Sequence, residues 1–546
     1  MTEKELSQNR FVLVVLFACL IGLVFSFGFT PVRSSNDVWW HLKTGKYIVT
    51  HGSLPRYDVF TFTGENIEWH NHEWLAQIVM YGAYALGEVS EFGGLRSLIT
   101  LKTLVLIATF LLLCKFIYAR SQNWLIAVLF ALIAAAVAKR TIYPRPPVFS
   151  YLLFTGYLYV LWGYWSGKLG WRWFVMLPFL MVLWSNLHGF FILGIFLVGA
   201  YLVASVLEYL YTRHIVRQPP DALQTRRTRI LLIALGACIV ASLINPYGYK
   251  VYVLGWRFMG NKNLVRIIPE LQSPDFFFTW AYEFMIAFLL LGFAVVRRKI
   301  PSLAELIILA VFFHLSIQHV RYLPLFGIAA APLCGWLARE MLDAVPGQFR
   351  RPATYALLGA VLIFSAYSVA HHREGESYLD RNLQLARGLE FVKENYPVKV
   401  CDFIIANDFT GSMYNQINYA GYLIWRLSPE YHKVFTDSRY DVFGDRFVWD
   451  EQIIQLGIDR NPRGHNWDDL LEKYAINFIV ITRDAPLNVR LSNHAGWRLV
   501  YWWIPPRAAN TLRGYNIYVR NTPENQVLIE RCEKSFGLLL ERAPYD

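Results

Sequence analysis

Residues 11–45 read FVLVVLFACLIGLVFSFGFT followed by PVRSSNDVWWHLKTG. The first part, 11–30, is uncharged and apolar, long enough to cross a hydrocarbon core of about 30 Å as one helix. It lacks a small-residue cleavage site, so it reads as an uncleaved first helix rather than a signal peptide. The second part brings Asp37 just beyond the membrane exit, beside Trp39 and Trp40. Paired tryptophans suit the border between lipid and water, where an amphipathic ring meets both. If this stretch is helical, Asp37 and His41 lie one turn apart on one face. A plain interfacial helix with an N-cap aspartate is the alternative reading.

Working outward, similar apolar runs recur through the first two thirds of the chain. They fall near 11–30, 99–119, 124–138, 148–166, 171–188, 190–211, 230–245, 281–296, 302–318, 322–338 and 354–370. The chain has 546 residues, 55% hydrophobic and 17% charged, with a mean hydropathy of +0.31. Soluble domains hold about 25% charged residues. The pattern predicts a polytopic α-helical membrane protein with about eleven transmembrane helices. That excludes a soluble enzyme, a secreted disulfide scaffold and an ordinary DNA-binding domain.

The net charge of +12 fits no nucleic-acid partner, because no basic groove interleaved with aromatics is present. Most basic residues sit in short connections, as the positive-inside rule requires. Lys115 and Arg120, Lys168 and Arg172, the group Arg213, Arg217, Arg226, Arg227 and Arg229, then Arg297, Arg298 and Lys299, and Arg339, Arg350 and Arg351 all share one side. With the N-terminus inside, the loop 31–98 and everything after 370 face outward. In a bacterial inner membrane that side is the periplasm. The expected division is a transmembrane domain over 1–370, carrying its first outer loop at 31–98, and a soluble domain over 371–546.

The tail alternates β-like runs (398–405, 433–436, 476–482, 497–503, 515–519) with helical stretches (382–394, 467–474). This predicts a small α/β domain. Cys401 and Cys532 are the two cysteines in it, and no C-x-x-C pair exists. Neither a zinc site nor a thioredoxin-like motif follows, although those two cysteines would be free to pair in an oxidising compartment.

The first outer loop continues with Asp58 and then with Trp69-His70-Asn71-His72-Glu73-Trp74. His70, His72 and Glu73, with Asp37 and His41, are five candidate metal or acid/base groups. Oxygen ligands would suit Mg²⁺ or Mn²⁺, and imidazoles zinc or manganese. The bland reading is a hydrogen-bonded polar network beneath a loop. Three polar clusters fall at outer ends of spans: Pro144-Arg145-Pro146-Pro147, Trp184-Ser185-Asn186-Leu187-His188-Gly189 and Gln318-His319-Val320-Arg321. An arginine in a membrane segment costs about 2.5–3.5 kcal/mol on insertion scales and normally has a partner. Snorkelling explains one such arginine, and three converging clusters favour a shared site. Arg257, Lys262 and Arg266 add positive charge to the outer loop 247–280, where topology alone predicts little. An anion at the membrane surface, such as a lipid-linked phosphate, would account for it. Glu270 either orients one of these bases or a sugar hydroxyl, or is a solvated loop carboxylate.

The arrangement resembles the GT-C superfamily of membrane glycosyltransferases, such as protein O-mannosyltransferases and aminoarabinose transferases. It is most similar to a bacterial branch with motifs like Asp37-Val-Trp-Trp-His41-Leu and His72-Glu73-Trp74-Leu75. Asn186-Leu-His188-Gly189, Asn245-Pro246-Tyr247-Gly248, Gly421-Tyr422-Leu423-Ile424-Trp425 and Asp437-Ser438-Arg439 also fit. The resemblance implies transfer of a sugar from a polyprenyl-phosphate donor to a glycan, lipid or protein acceptor on the outer face, with inversion. Asp37 would be the general base. Arg145 and Arg321 would hold the donor phosphate, and His41, His72 and Glu73 would position Asp37, a sugar hydroxyl or a metal. Asn186, His188 and Glu270 complete the expected substrate-binding set. Many relatives pair two acids in the first motif, whereas Asn36 here precedes a lone Asp37. The preferred reading therefore needs no cofactor, with Mg²⁺ or Mn²⁺ on His70, His72 and Glu73 as the alternative.

Two other functions compete. One is a catalytically silent relative that serves as assembly partner or carrier for lipid-linked saccharides, with the tail as a docking module. The other is a transporter, which should bury ionisable residues near mid-membrane. Here they gather at one outer rim, His314 excepted.

Overall fold

The structure, a computed structural model, describes residues 9–30, 36–90, 93–217, 219, 222–260, 268–275, 279–295, 301–370, 396–440, 442–443, 445–459, 464, 466–504 and 514–542. A helix lies over each of the eleven expected apolar runs, from Arg10–Gly28 to Gly347–Ala370. Among the described residues, Arg10–Gly28, Gly94–Ser121, Phe191–His214 and Val320–Ala344 are long and apolar enough to cross a membrane. Trp124–Ala138, Trp280–Val295 and Leu303–Gln318 are shorter apolar helices.

The chain forms two compact units. One comprises Met1–Thr30, His72–Ala76 and Gly94–Leu383, and the other Pro31–Asn71, Gln77–Gly93 and Gln384–Asp546. Most of the first outer loop thus shares a unit with most of the tail.

In the first, helical unit, several helices are apolar on all sides, which suits a buried or membrane position. Trp124–Ala138 is buried almost throughout, and the Asn123 side chain caps it by accepting from the Leu125 backbone N–H at 2.9 Å. Gly94–Ser121 and Leu323–Ala344 pack beside it. A Cβ at Gly335 would come within 2.3 Å of Ile117, so only a glycine permits that approach. Pro147 begins the helix Pro147–Trp165, where its missing N–H costs nothing. Arg145 is thereby held just before a helix start.

The second, loop-and-tail unit is built on a four-stranded sheet: β1 (Ser412–Asn415), β2 (Ile476–Thr482), β3 (Trp497–Trp503) and β4 (Tyr515–Arg520), in the order β1-β2-β4-β3. β1 runs parallel to β2, and the other pairs are antiparallel. Trp467–Lys473 is helical as expected. Two expected strands are absent. The run 398–405 lies in the helix Val398–Ala406, whose Phe403 ring stacks on Tyr501 at 4.1 Å. The segment 433–436 forms no strand of the sheet; it hydrogen-bonds to β1 through the Asn415 side chain, and its Val434 backbone bonds to the first loop. Val434 N–H donates to Phe60 O at 3.0 Å, and Phe62 N–H to Val434 O at 3.2 Å. The expected helix 382–394 lies outside the described residues. Cys401 and Cys532 are both buried and unpaired.

Candidate functional site

Each unit gathers part of the expected polar set. In the loop-and-tail unit, Asp37 occupies the first turn of the helix Asp37–His51, whose N-cap position is held by Asn36 rather than by Asp37. An acid there is favoured by the helix dipole. The Ser438 hydroxyl donates to Asp37 Oδ1 at 2.5 Å, and the Trp40 indole N–H donates to Ser438 Oγ at 3.2 Å. His41 is buried one turn on. Its Nδ1 lies 3.4 Å from Gln77 Nε2, and Gln77 is locked to Asn71 by two amide bonds at 2.7 and 2.9 Å.

Beside Ser438, Arg439 is a wholly buried cation. Its guanidinium meets Asp437 at 2.5 Å and Asp58 at 2.8 Å, with the side chains 1% exposed or less. The ring of Trp69 covers it at 4.5 Å and that of Phe60 at 5.2 Å. Burial pushes the Asp437 carboxyl above the usual carboxylate range, against the pull of Arg439. Burial also works to lower Arg439, but the two carboxylates outweigh it and hold the guanidinium above its ordinary value. Sequence reasoning singled out Asp58 and the Asp437-Ser438-Arg439 motif separately. Nothing local marked them as partners.

Asn36 explains its own departure from the paired-acid pattern. Its Oδ1 accepts from the Gly421 N–H at 2.8 Å, while its Nδ2 donates to the Ile417 carbonyl. A carboxylate cannot make that donation. A Cβ on residue 421 would come within 2.1 Å of Asn36 O, which accounts for the glycine.

In the helical unit, Arg145 and Glu270 form an ion pair. With Arg321, Tyr151 and Phe190 they line a narrow cavity of about 30 Å³. The Arg321 guanidinium lies over the Phe190 ring at 4.9 Å and Arg145 over Tyr143 at 4.9 Å. Three expected residues from distant parts of the sequence thus meet. The side chain of Arg257 and residues 261–267, with Lys262 and Arg266, lie outside the described residues.

A second group in this unit centres on Glu73. His188 Nε2 lies 3.4 Å from Glu73 Oε1, and His72 Nε2 lies 3.9 Å from it. His188 Nδ1 accepts from the Phe190 backbone N–H at 3.3 Å, so its proton sits on Nε2, toward Glu73. Ser150 Oγ stands 3.0 Å from the same Nδ1 and accepts from the Trp184 indole at 2.8 Å. Neither Ser150 nor Trp184 was legible as a partner of His188. Asn186 is occupied in packing: it accepts from the Trp74 indole at 2.9 Å and donates to Val182 and Ile244 carbonyls at 2.7 and 2.8 Å.

His70, His72 and Glu73 are the alternative metal set, beside a preferred reading without a metal. Among the described residues no three His, Cys, Asp or Glu side chains gather as a metal site. His70 turns to Glu68 at 3.4 Å in the loop-and-tail unit, whereas His72 and Glu73 belong to the helical unit.

No protein-family model matches the chain, and no curated protein matches it. Solved structures do. The oligosaccharyltransferase of Archaeoglobus fulgidus tethered with an acceptor peptide is similar at TM-score 0.52 and 12% identity, over 87% of this chain and 70% of that one. The AglB oligosaccharyltransferase of that organism, in complex with an inhibitory peptide and a dolichol-phosphate, gives TM-score 0.51 and 14% identity, over 86% and 70%. ArnT from Cupriavidus metallidurans in the apo state gives TM-score 0.49 and 16% identity, over 93% and 97%. The likeness is one of fold: the chain is folded like these oligosaccharyltransferase structures.

Proposed function

We propose that this protein is a membrane glycosyltransferase that moves a sugar from a polyprenyl-phosphate donor to a cell-envelope acceptor. The reading draws on the fold, on a similar oligosaccharyltransferase that was solved with a dolichol-phosphate, and above all on the cavity shared by Arg145, Arg321 and Glu270. Two guanidiniums at one cavity suit a phosphate, which accepts paired charge-assisted hydrogen bonds. The N-terminus is inside, and the first loop and tail face outward, the periplasm in a bacterial inner membrane.

Asp37 is the general base. Its carboxylate takes the proton from the acceptor's hydroxyl as that oxygen attacks the anomeric carbon. The anomeric C–O bond to phosphate breaks, and its electron pair leaves with the polyprenyl phosphate. Arg145 and Arg321 stabilise the charge that develops there. A single displacement inverts the configuration. Glu270, released from Arg145 when phosphate arrives, is placed to accept from a sugar hydroxyl. His188 lies beside Glu73, and Glu73 and His72 orient donor or acceptor; His41 positions Asp37 within its own unit. The family's possible divalent metal finds no cluster of ligands among the described residues.

The test uses the full chain in lipid nanodiscs, a panel of pentosyl and hexosyl polyprenyl phosphates, and envelope extract as acceptor source. Asp37→Asn should abolish release of polyprenyl phosphate without loss of expression. A fully active variant would remove Asp37 as base. A wild-type chain that binds polyprenyl phosphate and never transfers sugar would be the silent carrier instead.

A further inference from the structure

The groups that hold Asp37 within its unit come largely from the far end of the sequence. On the side-chain flank, the indole N–H of Trp40 is a donor only, and it points at Ser438 Oγ. The serine oxygen accepts that bond, so its own proton is turned to Asp37 Oδ1. The backbone that carries Ser438 is pinned on either side. Arg439 N–H donates to Asp437 Oδ1 at 2.7 Å, and the Arg439 guanidinium is fixed between Asp437 and Asp58. On the backbone flank, Asn36 is clamped by Gly421 and Ile417. Asp37 therefore sits between two segments of the tail.

We propose that the tail is a working part of the transferase: Ser438 is a positioning residue that keeps the Asp37 carboxylate aimed and ionised, on a platform made by Asp58, Asp437 and Arg439. This rests on the reading of Asp37 as base. A hydroxyl bond to a carboxylate favours the charged form, and such charge-assisted bonds are short and directional. The donated bond slightly weakens the base but removes the rotational freedom that would cost rate, since small misplacements of a reacting group are expensive. The acidic cluster of Asp58 and Asp437 has no direct part in the reaction. Its two charges are spent on Arg439, so that a rigid loop presents one neutral hydroxyl.

The experiment compares the full-length wild type with Ser438→Ala and Ser438→Thr in the donor-panel assay, with thermal unfolding measured in parallel. Ser438→Ala should lower kcat by about tenfold or more, with KM for the donor little changed, since a hydrogen bond to a charged group is lost. The acid limb of its kcat–pH profile should move to higher pH. Ser438→Thr, which keeps the hydroxyl, should restore both, and unfolding should stay close to wild type for each. Trp40→Phe, which removes the N–H that orients Ser438, should shift the limb in the same direction by less. Unchanged kcat and pH limb in Ser438→Ala, beside an inactive Asp37→Asn, would overturn the positioning role and leave the base standing. Equal losses in Ser438→Ala and Ser438→Thr with lowered unfolding temperatures would reduce Ser438 to packing and also overturn it. A fully active Asp37→Asn would instead overturn the base, whatever Ser438 does.

Discussion

Arg439 and Arg145 are both arginines paired with carboxylates, and they are held in opposite ways. Arg439 is enclosed, with two aspartates and aromatic faces around a side chain that is 1% exposed. Arg145 lines a cavity with a side chain 18% exposed, and its partner Glu270 is 38% exposed. A fully buried ion pair has no water to replace a lost partner, so breaking it is expensive. A part-exposed pair is worth little and exchanges readily. The first arrangement fixes a loop, and the second can trade its carboxylate for another anion. Burial, rather than residue type, separates the two arginines.

Two substitutions test that contrast directly and a third tests what burial does to a carboxylate without a cation, ordered by their effect on stability. Arg439→Met leaves Asp437 and Asp58 buried together without a cation, and should cost about 3–5 kcal/mol, read as a large fall in unfolding temperature or failure to express. Wild-type-like unfolding would mean that the pair is solvated, contrary to its burial.

Glu451 gives the next effect. It is buried in the same unit, and burial pushes its carboxyl up to about 8. The folded chain therefore holds a proton that the unfolded chain releases near the ordinary carboxylate range. Stability from this group is fully present at acid pH and is lost as pH rises toward about 8. Glu451→Gln should flatten that decline in unfolding scans taken across the window, and an unaltered slope would show that Glu451 does not carry it.

The smallest stability effect belongs to Arg145→Gln, within about 1 kcal/mol for a part-exposed pair. Its consequence should appear in binding instead. Polyprenyl phosphate should bind about tenfold or more weakly, as expected when a charged hydrogen-bond partner is removed. A large fall in stability with unchanged binding would reverse the assignment and make Arg145 the structural arginine.

Much of the fold was legible. Every apolar run proved helical, because a long uncharged segment has few other ways to satisfy its backbone, and Pro147 and Asn123 mark helix starts by local chemistry. The stretch at Asp37, read only conditionally as helical, is the helix Asp37–His51. The misreadings have physical causes. Val398, Val400 and Ile404 are β-branched, yet Val400, Cys401 and Ile404 are buried on one side of a helix, and short apolar runs do not discriminate between the two states. The segment 433–436 has strand composition, but the Val434 backbone bonds to Phe60 and Phe62 of the first loop, and Phe435 and Thr436 hydrogen-bond to the Asn415 side chain of β1. Of the candidate site, Arg145 and Arg321 were legible as misplaced polarity and Asp37 as an acid at a membrane exit, whereas Glu270 reads equally as a solvated loop carboxylate.

What the sequence by itself determined is the set of things that depend on neighbours: the apolar periods, the charge bias between loops, the helix starts and the types of residue available for chemistry. Tertiary structure alone decided the partners. Ser438 meets Asp37 across 401 positions, Arg439 finds Asp58, and Arg145 finds Glu270 across 125. A contact between distant residues leaves no periodic trace along the chain. It arises because packing whole elements brings their polar groups to common points, where each buried charge must be matched or left to water.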